Sequence, residues 1–429
     1  MATELRPSKL MELARLGPTA VISEHGGWTS HASILARELN LPVVTGIKDL
    51  NRVISAGECV IVDAINGEVI LRPTKQTIER FRTYAQPSVN EVVVESGSRA
   101  AITQDGVEIV IRANADFPEI YRRAKRLGAR GIGLFRSELI LNLSRGIPSE
   151  REQIEIYAQI ADAAGDEGVK IRTFDVGADY FGSFPNHERN PCLGLRSLRW
   201  SLTERLLFKT QIRAILQAAA GRKIDIVFPM ISGVSDLLAA RRITDEERAN
   251  LGKQGRAIGE VGIGAMIEVP SAVFTVNEIA RHVDFMLLGT NDLVQYMLAV
   301  DRDNEAVAGW YQTLHPAVVR AIREILAAGR DCGIPVIVCG EVAGSPFYVP
   351  LLLGLGAFEL SMSLSSIPKV RKLITGLNVT SAVELANSID TLVTADEIER
   401  FLRSYYIEKW PNLFPAGLLE GAKAVPSAS

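Results

Sequence analysis

Residues 262–292 read GIGAMIEVPSAVFTVNEIARHVDFMLLGTND and contain two short apolar, β-rich runs, GIGAMIE (262–268) and VDFMLLGT (283–290), with a helical segment between them. Six further runs of this kind are VEIVIRA (107–113), GIGLF (131–135), VKIRTF (169–174), KIDIVFPM (223–230), IPVIVCGE (334–341) and AFELSMS (357–363). Helical patterns such as IYRRAKRLG (120–128) separate the runs. Eight β-then-α units over about 300 residues are what a (β/α)8 barrel requires, so we predict an α/β fold with such a barrel.

The first 75 residues indicate a smaller α/β unit ahead of the barrel. Short apolar runs alternate there with Gly and Pro, around one helical stretch, SHASILAREL (30–39). The apolar runs are TAVIS (19–23), PVVTG (42–46), CVIVDA (59–64) and EVILR (68–72). We predict four segments, namely a small domain at 1–75, a linker with a helical segment at 76–104, the barrel at 105–410 and a flexible tail at 411–429.

Composition excludes several classes of function. Charged residues make up 23% of the 429 residues and the formal net charge is −3, so no basic excess favours nucleic acid or anionic lipid as a partner. The N-terminus MATELRPSKLMELARLG lacks the apolar core of a secretory signal, and no run reaches the ~18 apolar residues of a membrane span. We therefore expect a cytoplasmic protein. The cysteines, Cys59, Cys192, Cys332 and Cys339, are scattered and predict neither a disulfide framework nor a structural zinc site.

Polar residues follow most of the barrel runs at the point where each strand ends. They are Arg136 and Glu138 after the second run, Arg172, Asp175 and Asp179 after the third, Glu268 after the fifth, Asn291, Asp292 and Arg302 after the sixth, Cys339 and Glu341 after the seventh, and Ser361 and Ser363 after the eighth. Active sites of such barrels lie at the carboxyl ends of the strands. We therefore expect these side chains to converge on one face.

The residue types in this set point to phosphoryl transfer. Arginine forks bind phosphate with paired hydrogen bonds and keep their charge at physiological pH. Glu268 and Asp292 could hold Mg²⁺, which prefers hard oxygen ligands. Cys339 could be an acid or simply a small core residue. Each polar residue taken singly is equally typical of a salt bridge or helix cap at a barrel end, but their common position favours a catalytic site.

A second candidate site lies in the small domain, in GGWTSHASILAREL (26–39). Two glycines precede Thr29, Ser30 and His31 at the start of the predicted helix, where free N–H groups and the helix dipole favour an anion. A neutral imidazole is a competent nucleophile toward phosphorus, so His31 is a candidate phosphate carrier. An isolated histidine in such a place more often caps or packs against the helix, and we expect His25 to be a surface residue.

Longer motifs in the chain resemble the enzyme I family of the bacterial phosphoenolpyruvate:sugar phosphotransferase system, within the larger group of phosphoenolpyruvate-utilizing enzymes. The family's phosphohistidine signature appears as GGWTSHASILARELNLPVVTG (26–46). Its barrel signatures appear in family order as GIGLFRSEL (131–139), RTFDVGAD (172–179), NPCLGLR (190–196), FPMI (228–231), MIEVPSA (266–272), GTNDLVQYMLAVDR (289–302), CGEVAG (339–344) and SMSLSSIP (361–368). The second and sixth of these barrel signatures resemble enzyme I more than the related dikinases.

The resemblance implies a partial α/β phosphohistidine (swivelling) domain followed by a (β/α)8 barrel that binds phosphoenolpyruvate. It implies Mg²⁺-dependent transfer of the phosphoryl group to His31, release of pyruvate, and onward transfer to a phosphocarrier protein such as HPr. The implied roles are phosphate binding for Arg136, Arg172 and Arg302, substrate contacts for Arg196 and Asn291, Mg²⁺ ligation for Glu268 and Asp292, proton donation for Cys339, and support of that thiol for Glu341. A homodimer is also implied.

The chain departs from the family pattern at two places. Tyr180 follows Asp179 where the family has a lysine, so a cation near the phosphate is missing. The chain also begins about thirty residues before His31, whereas the family has a longer histidine domain with a helical insertion that docks HPr. We expect a fragment, a chain completed by an N-terminal subunit, or an enzyme with another acceptor.

Two alternative functions stay open from the sequence. In one, phosphorylated His31 donates to a small molecule, as in the dikinases and phosphoenolpyruvate synthase. In the other, the protein is a non-catalytic regulator that senses phosphoenolpyruvate. The intact set of Arg, Glu, Asp and Cys residues argues against the second alternative.

Overall fold

The computed structural model describes residues 1–4, 10, 13, 18–25, 36, 41–55, 57–64, 67–85, 100–143, 147–177, 188–414 and 418–419. Its N-terminal part contains a parallel sheet and an antiparallel pair of strands, as expected for a small α/β unit. The sheet is formed by β1 (Ala2–Glu4), β2 (Val21–His25) and β3 (Val43–Val44), and the pair by β4 (Val60–Asp63) and β5 (Glu68–Leu71). The described helices of this part are α1 (Leu50–Val53) and α2 (Lys75–Ala85).

A closed barrel of parallel strands follows. After the short strand β6 (Ala101–Ile102), its members are β7 (Glu108–Asn114), β8 (Ile132–Arg136), β9 (Val169–Arg172), β10 (Ile224–Phe228), β11 (Ile263–Ile267), β12 (Phe285–Gly289), β13 (Val336–Cys339) and β14 (Glu359–Met362). Each strand from β7 onward pairs with its successor, and β14 returns to pair with β7. The predicted (β/α)8 barrel is confirmed, with all of its strands at the predicted runs.

Helices connect the barrel strands and cover them. They are α3 (Pro118–Arg126), α4 (Leu139–Leu143), α5 (Glu150–Ala164), α6 (Ser197–Thr203), α7 (Arg205–Ala218), α8 (Val234–Lys253), α9 (Pro270–Phe274), α10 (Val276–Ala280), α11 (Thr290–Leu298), α12 (Pro316–Cys332), α13 (Val349–Gly354), α14 (Ile367–Gly376), α15 (Val379–Ser388) and α16 (Ala395–Lys409). Capping boxes start two of them, Ser149 with Glu152 at α5 and Thr394 with Glu397 at α16. No helix in the described ranges is long and apolar enough to cross a membrane.

Successive side chains of each barrel strand point alternately to the helices and to the barrel interior. The middle of the interior is apolar, with a cluster of Leu134, Val227, Met266, Phe285, Leu287, Ile337 and Cys339. The amino-terminal end of the barrel is charged: Arg112 Nε lies 2.8 Å from Glu359 Oε2, and Lys170 pairs with Asp225. These ion pairs form the barrel floor, and the strand-end residues are left at the opposite end, the barrel mouth.

The boundary predicted between linker and barrel differs from the structure. We expected residues 76–104 to be linker, but β6 pairs antiparallel with β7. Asp105 holds the turn between these strands, since it accepts hydrogen bonds from Thr103 Oγ1 at 2.6 Å and from the backbone N–H of Val379 at 3.0 Å. These bonds lower the pKa of Asp105 to about 2. The barrel sheet therefore includes residues that the sequence assigns to the linker.

Residues 411–414, which the sequence assigns to a flexible tail, lie against the end of the barrel domain. Phe414 stacks on Tyr406 of α16 with ring centroids 4.6 Å apart. Leu413 packs against the barrel core, and Arg403 Nη1 donates a hydrogen bond to the carbonyl of Leu418 at 2.8 Å. Apolar side chains in the stretch assigned to the tail, Leu413 and Phe414, therefore pack against the barrel domain.

Candidate active site

Two arginines lie side by side at the barrel mouth. Arg136 ends β8 and Arg172 ends β9, and the two residues are opposite each other in the pairing of these strands. Asp116 accepts hydrogen bonds from the backbone N–H of Arg136 at 2.9 Å and from its Nε at 3.2 Å. Arg172 pairs with Glu138 and, at 2.9 Å, with Asp175. Among the described residues, Nε of Arg172 has no hydrogen-bond partner, which leaves a buried donor for an anionic ligand.

Asp175 joins a third arginine to this pair. Arg196 Nη2 donates to Asp175 Oδ1 at 2.9 Å, and Arg196 Nη1 donates to the hydroxyl of Tyr296 at 3.1 Å. Burial alone would raise the pKa of Asp175, but the neighbouring Arg196 and Arg172 guanidinium groups lower it well below its usual range. Asp175 therefore stays ionised and holds Arg172 and Arg196 in fixed positions.

The first turn of α11 contributes Asn291 and Asp292 directly after β12. Arg302 Nη1 lies 3.4 Å from Asp292 Oδ2, and Arg196 Nη1 lies 3.9 Å from Asp292 Oδ1. Gln295 accepts a hydrogen bond from the backbone N–H of Arg302 at 3.1 Å, which holds that loop to the helix. Asp292 Oδ1 is buried and makes no hydrogen bond to any described residue.

Glu268 follows β11 and is 1% exposed. Its Oε1 accepts a hydrogen bond from the backbone N–H of Met230 at 2.7 Å, and Oε2 lies against Gly289, where a Cβ would approach within 2.5 Å. Burial, followed by the negative charges of Asp292 and Asp175, raises the pKa of Glu268 to about 8. Burial and the two neighbouring carboxylates therefore outweigh the opposing effect of the Arg172 charge on Glu268.

These observations fit a divalent cation between Glu268 and Asp292. The donors are hard carboxylate oxygens, one of them without a hydrogen bond, and Mg²⁺ commonly takes one or two carboxylates and leaves its other positions to water and substrate. In the part of the chain that the structure describes, no group of three or more His, Cys, Asp or Glu side chains could hold a metal. A cation here would therefore take its remaining ligands from water or substrate.

Cys339 ends β13 and is 2% exposed. Its thiol donates a hydrogen bond to the carbonyl of Leu288 at 3.2 Å, and Thr290 Oγ1 donates to the Cys339 carbonyl at 2.8 Å. Burial, together with the charge of Glu268, raises the pKa of the Cys339 thiol to about 12. The thiol therefore keeps its proton at neutral pH, which suits a proton donor rather than a nucleophile.

The backbone after Cys339 is fixed by the first turn of α11. Asn291 Oδ1 accepts a hydrogen bond from the backbone N–H of Glu341 at 3.1 Å. Gly340 has a φ of 96°, and a Cβ there would collide with Thr290 Oγ1, so only glycine fits this junction. The loops after β12 and β13 therefore form one unit.

The state of the Cys339 thiol predicts its reactivity. At about pH 8, a thiol with a pKa of about 12 has roughly a thousandfold less thiolate than an ordinary cysteine. We expect iodoacetamide to modify the exposed Cys59 fully while Cys339 stays unmodified. Mass spectrometry of peptides from the native protein checks this, with unfolded protein as the control. Rapid modification of native Cys339 would show that its thiol is neither buried nor protonated.

Other predicted residues stand apart from this group or cannot be placed. Ser361 is buried and donates to Asn114 Oδ1 at 2.6 Å, and the Ser363 hydroxyl is 3.3 Å from those of Ser365 and Ser366. Neither serine is hydrogen-bonded to the arginines and carboxylates. His31, Thr29, Ser30, Asp179 and Tyr180 lie outside the described residues.

Two contributors were missed by reasoning from the sequence. Asp116, which holds Arg136, comes two residues after the end of the first barrel strand and could have been found by the strand-end rule. Tyr296 has no such signal. It lies on the second turn of α11, and its hydroxyl donates to the Cys192 carbonyl at 2.6 Å while it accepts from Arg196.

Comparison with known proteins identifies two family models along the chain. "PEP-utilising enzyme, mobile domain" matches residues 1–67, and "PEP-utilising enzyme, PEP-binding domain" matches residues 91–379. Curated relatives named phosphoenolpyruvate-protein phosphotransferase include those of Staphylococcus aureus (35% identity, 94% of this chain, 72% of the relative), Haemophilus influenzae (35%, 96% and 72%) and Mycoplasma pneumoniae (37%, 95% and 72%).

Proposed function

Because the chain belongs to the phosphoenolpyruvate-utilising enzymes, in the branch of the phosphoenolpyruvate-protein phosphotransferases, we propose that it moves the phosphoryl group of phosphoenolpyruvate at the barrel mouth onto His31. One observation carries the proposal: Arg172 and Arg196 share Asp175 at strand ends that also bear two buried carboxylates. Such a site suits a substrate with a phosphate, a carboxylate and a bound cation.

Arg136, Arg172 and Arg302 bind the substrate phosphate, while Arg196 and Asn291 hold its other oxygens. In support, the side chains of these four arginines are only 6% to 12% exposed, and each lies within ion-pair distance of a carboxylate. Guanidinium groups held in this way need little rearrangement as charge moves in the transition state. Bidentate arginine contacts also set the orientation of the phosphorus.

Glu268 and Asp292 are the residues that would hold Mg²⁺, and the absence of a hydrogen bond to Asp292 Oδ1 from any described residue supports this role. When bound, the ion neutralises negative charge on the oxygens of phosphoenolpyruvate. The two carboxylates also explain why the site needs three or more arginines. Without added positive charge, they would repel an anionic substrate.

The chemical steps fall to His31 and Cys339. A ring nitrogen of His31 attacks phosphorus, and the bond between phosphorus and the enol oxygen breaks, so that its electron pair stays with the enolate of pyruvate. Cys339 then gives its proton to the methylene carbon, and pyruvate leaves. The buried, protonated thiol supports this role, and Glu341 supports the loop that carries it. The thiol regains its proton from solvent.

A phosphocarrier protein of the HPr type is the proposed final acceptor, and the relatives' name, phosphoenolpyruvate-protein phosphotransferase, supports a protein in that role. Transfer to such a protein requires the domain that carries His31 to move between the barrel mouth and its acceptor. Movements of that kind are a common way for enzymes to link two separate half-reactions.

Incubation with phosphoenolpyruvate labelled in the phosphoryl group, with Mg²⁺ present, tests the proposed function. We expect one label per chain, stable in alkali and lost in acid as for phosphohistidine, with loss of incorporation when Mg²⁺ is chelated. Label that drains onto added HPr would support the carrier assignment, and label that stays would contradict it. No incorporation in any condition would contradict the proposal as a whole.

A further inference from the structure

A buried glutamine links two of the loops at the barrel mouth from outside the barrel. Gln211 lies on α7 and is 0% exposed. Its Nε2 donates to Ser137 Oγ at 2.9 Å and to the Tyr157 hydroxyl at 3.1 Å, and its Oε1 accepts from the backbone N–H of Phe174 at 3.1 Å. Both amide hydrogens and the amide oxygen therefore have partners.

The two loop contacts lie next to residues that hold the proposed substrate. Ser137 is between Arg136 and Glu138, and Phe174 comes after Arg172 and directly before Asp175. One amide group thus spans the loop after β8 and the loop after β9. These are the same loops that the ion pair between Arg172 and Glu138 joins on the side of the mouth.

The amide has only one favourable orientation. The Tyr157 hydroxyl donates to Gln153 Oε1 at 3.3 Å, so it can only accept from Gln211. Gln153 in turn donates to the carbonyl of Pro148 at 3.0 Å, which anchors the network to the start of α5. A flipped Gln211 amide would face the Phe174 N–H with its own N–H groups. The network therefore fixes both loops relative to α5 and α7.

We propose that Gln211 is a positioning residue for phosphoenolpyruvate binding, because its side-chain amide holds the loops after β8 and β9 in the register that aligns Arg136 with Arg172. The inference rests on the proposed function. Gln211 touches no reacting atom and acts through the two arginines. Loss of the amide would leave the Phe174 N–H buried without a partner and would let the loops shift. Shifts of about 1 Å are enough to weaken a preorganised site.

Gln211→Met keeps the length of the side chain and removes all three hydrogen bonds. The test measures exchange of labelled pyruvate into phosphoenolpyruvate, which needs only the first half-reaction. We expect the half-saturating phosphoenolpyruvate concentration to rise about tenfold or more, with the limiting rate lowered less than about threefold. Ser137→Ala removes only the link to the loop after β8. It should also raise the half-saturating phosphoenolpyruvate concentration, but by a smaller factor.

Gln217→Met is the matched control on the same helix. Gln217 also makes side-chain hydrogen bonds, to Glu150 at 2.8 Å and from Arg256 at 2.7 Å, but none to the barrel mouth. The Gln217→Met variant should have the wild-type half-saturating phosphoenolpyruvate concentration even if the variant protein is less stable. If Gln211→Met does not fold, the half-saturating phosphoenolpyruvate concentration of Ser137→Ala tests the positioning role.

The outcomes separate this inference from the function on which it rests. A wild-type protein that exchanges label, with Gln211→Met and Ser137→Ala indistinguishable from Gln217→Met, would overturn the positioning role alone. A fall in the limiting rate with no change in half-saturation would also overturn it, since the proposed effect is on binding. A wild-type protein without exchange would overturn both.

Discussion

Replacement of His31 with alanine is expected to abolish incorporation of label from phosphoenolpyruvate and, with it, pyruvate release. The imidazole is the proposed nucleophile, and alanine offers no atom that can take the phosphoryl group. Binding of phosphoenolpyruvate should persist, because the proposed phosphate-binding groups all belong to the barrel. Labelling and calorimetric titration of the same variant with phosphoenolpyruvate and Mg²⁺ measure the two effects separately.

His25→Ala is the control for the His31 experiment. His25 ends β2 and is exposed, and its carbonyl accepts a hydrogen bond from Ser23 Oγ that alanine would preserve. This variant should take up label like the wild type. Undiminished labelling of His31→Ala would show that another residue accepts the phosphoryl group and would contradict the proposed path. Loss of phosphoenolpyruvate binding would contradict the assignment of the substrate site to the barrel.

Replacement of Cys339 with alanine is expected to slow exchange of pyruvate into phosphoenolpyruvate by about a hundredfold to ten-thousandfold, the usual contribution of a positioned acid or base. Exchange needs a proton to be delivered to the methylene carbon and removed again, and the buried thiol is the proposed donor. Affinity for phosphoenolpyruvate should change little. The exchange rate at saturating substrate, with binding measured by calorimetry, provides the comparison.

Cys332→Ala controls for general effects of removing a thiol, since Cys332 is half-buried at the end of α12, away from the mouth. It should exchange label at the wild-type rate. Turnover in deuterium oxide of phosphoenolpyruvate that carries tritium at one defined position of its methylene carbon gives an independent measure. Wild-type protein should add deuterium to one face of that carbon and give a chiral methyl group of one configuration, whereas Cys339→Ala should give both configurations. Full exchange activity in Cys339→Ala would exclude the thiol as the donor.

Much of the barrel follows from local sequence. Runs such as GIGAMIE and VDFMLLGT are short, apolar and separated by helical segments, and each becomes a barrel strand. Arg136, Arg172, Cys339 and Glu268 were identified because a parallel barrel places all strand ends on one face. That rule uses only the order of strands along the chain.

The finer organisation of the site depends on distances that no local pattern encodes. Gln211 lies in the middle of an ordinary amphipathic helix, and only the way α7 packs brings its amide to the loops after β8 and β9. The sequence shows Asp175 only as a polar residue near a strand end. Its ion pairs with both Arg172 and Arg196 depend on how residues 188–197 fold back toward β9. Packing of Phe414 on Tyr406 likewise depends on where α16 ends.

The charged barrel floor has a consequence for the order of events. Because Arg112, Glu359, Lys170 and Asp225 occupy the amino-terminal end and an apolar cluster fills the middle, the mouth is the entrance that the described barrel offers to substrate. On the proposed path, His31 must come to the same entrance to take the phosphoryl group. Substrate and His31 would then use the same opening one after the other. The proposed path therefore predicts that phosphoenolpyruvate binds before His31 reaches the mouth and that pyruvate leaves after His31 has moved away.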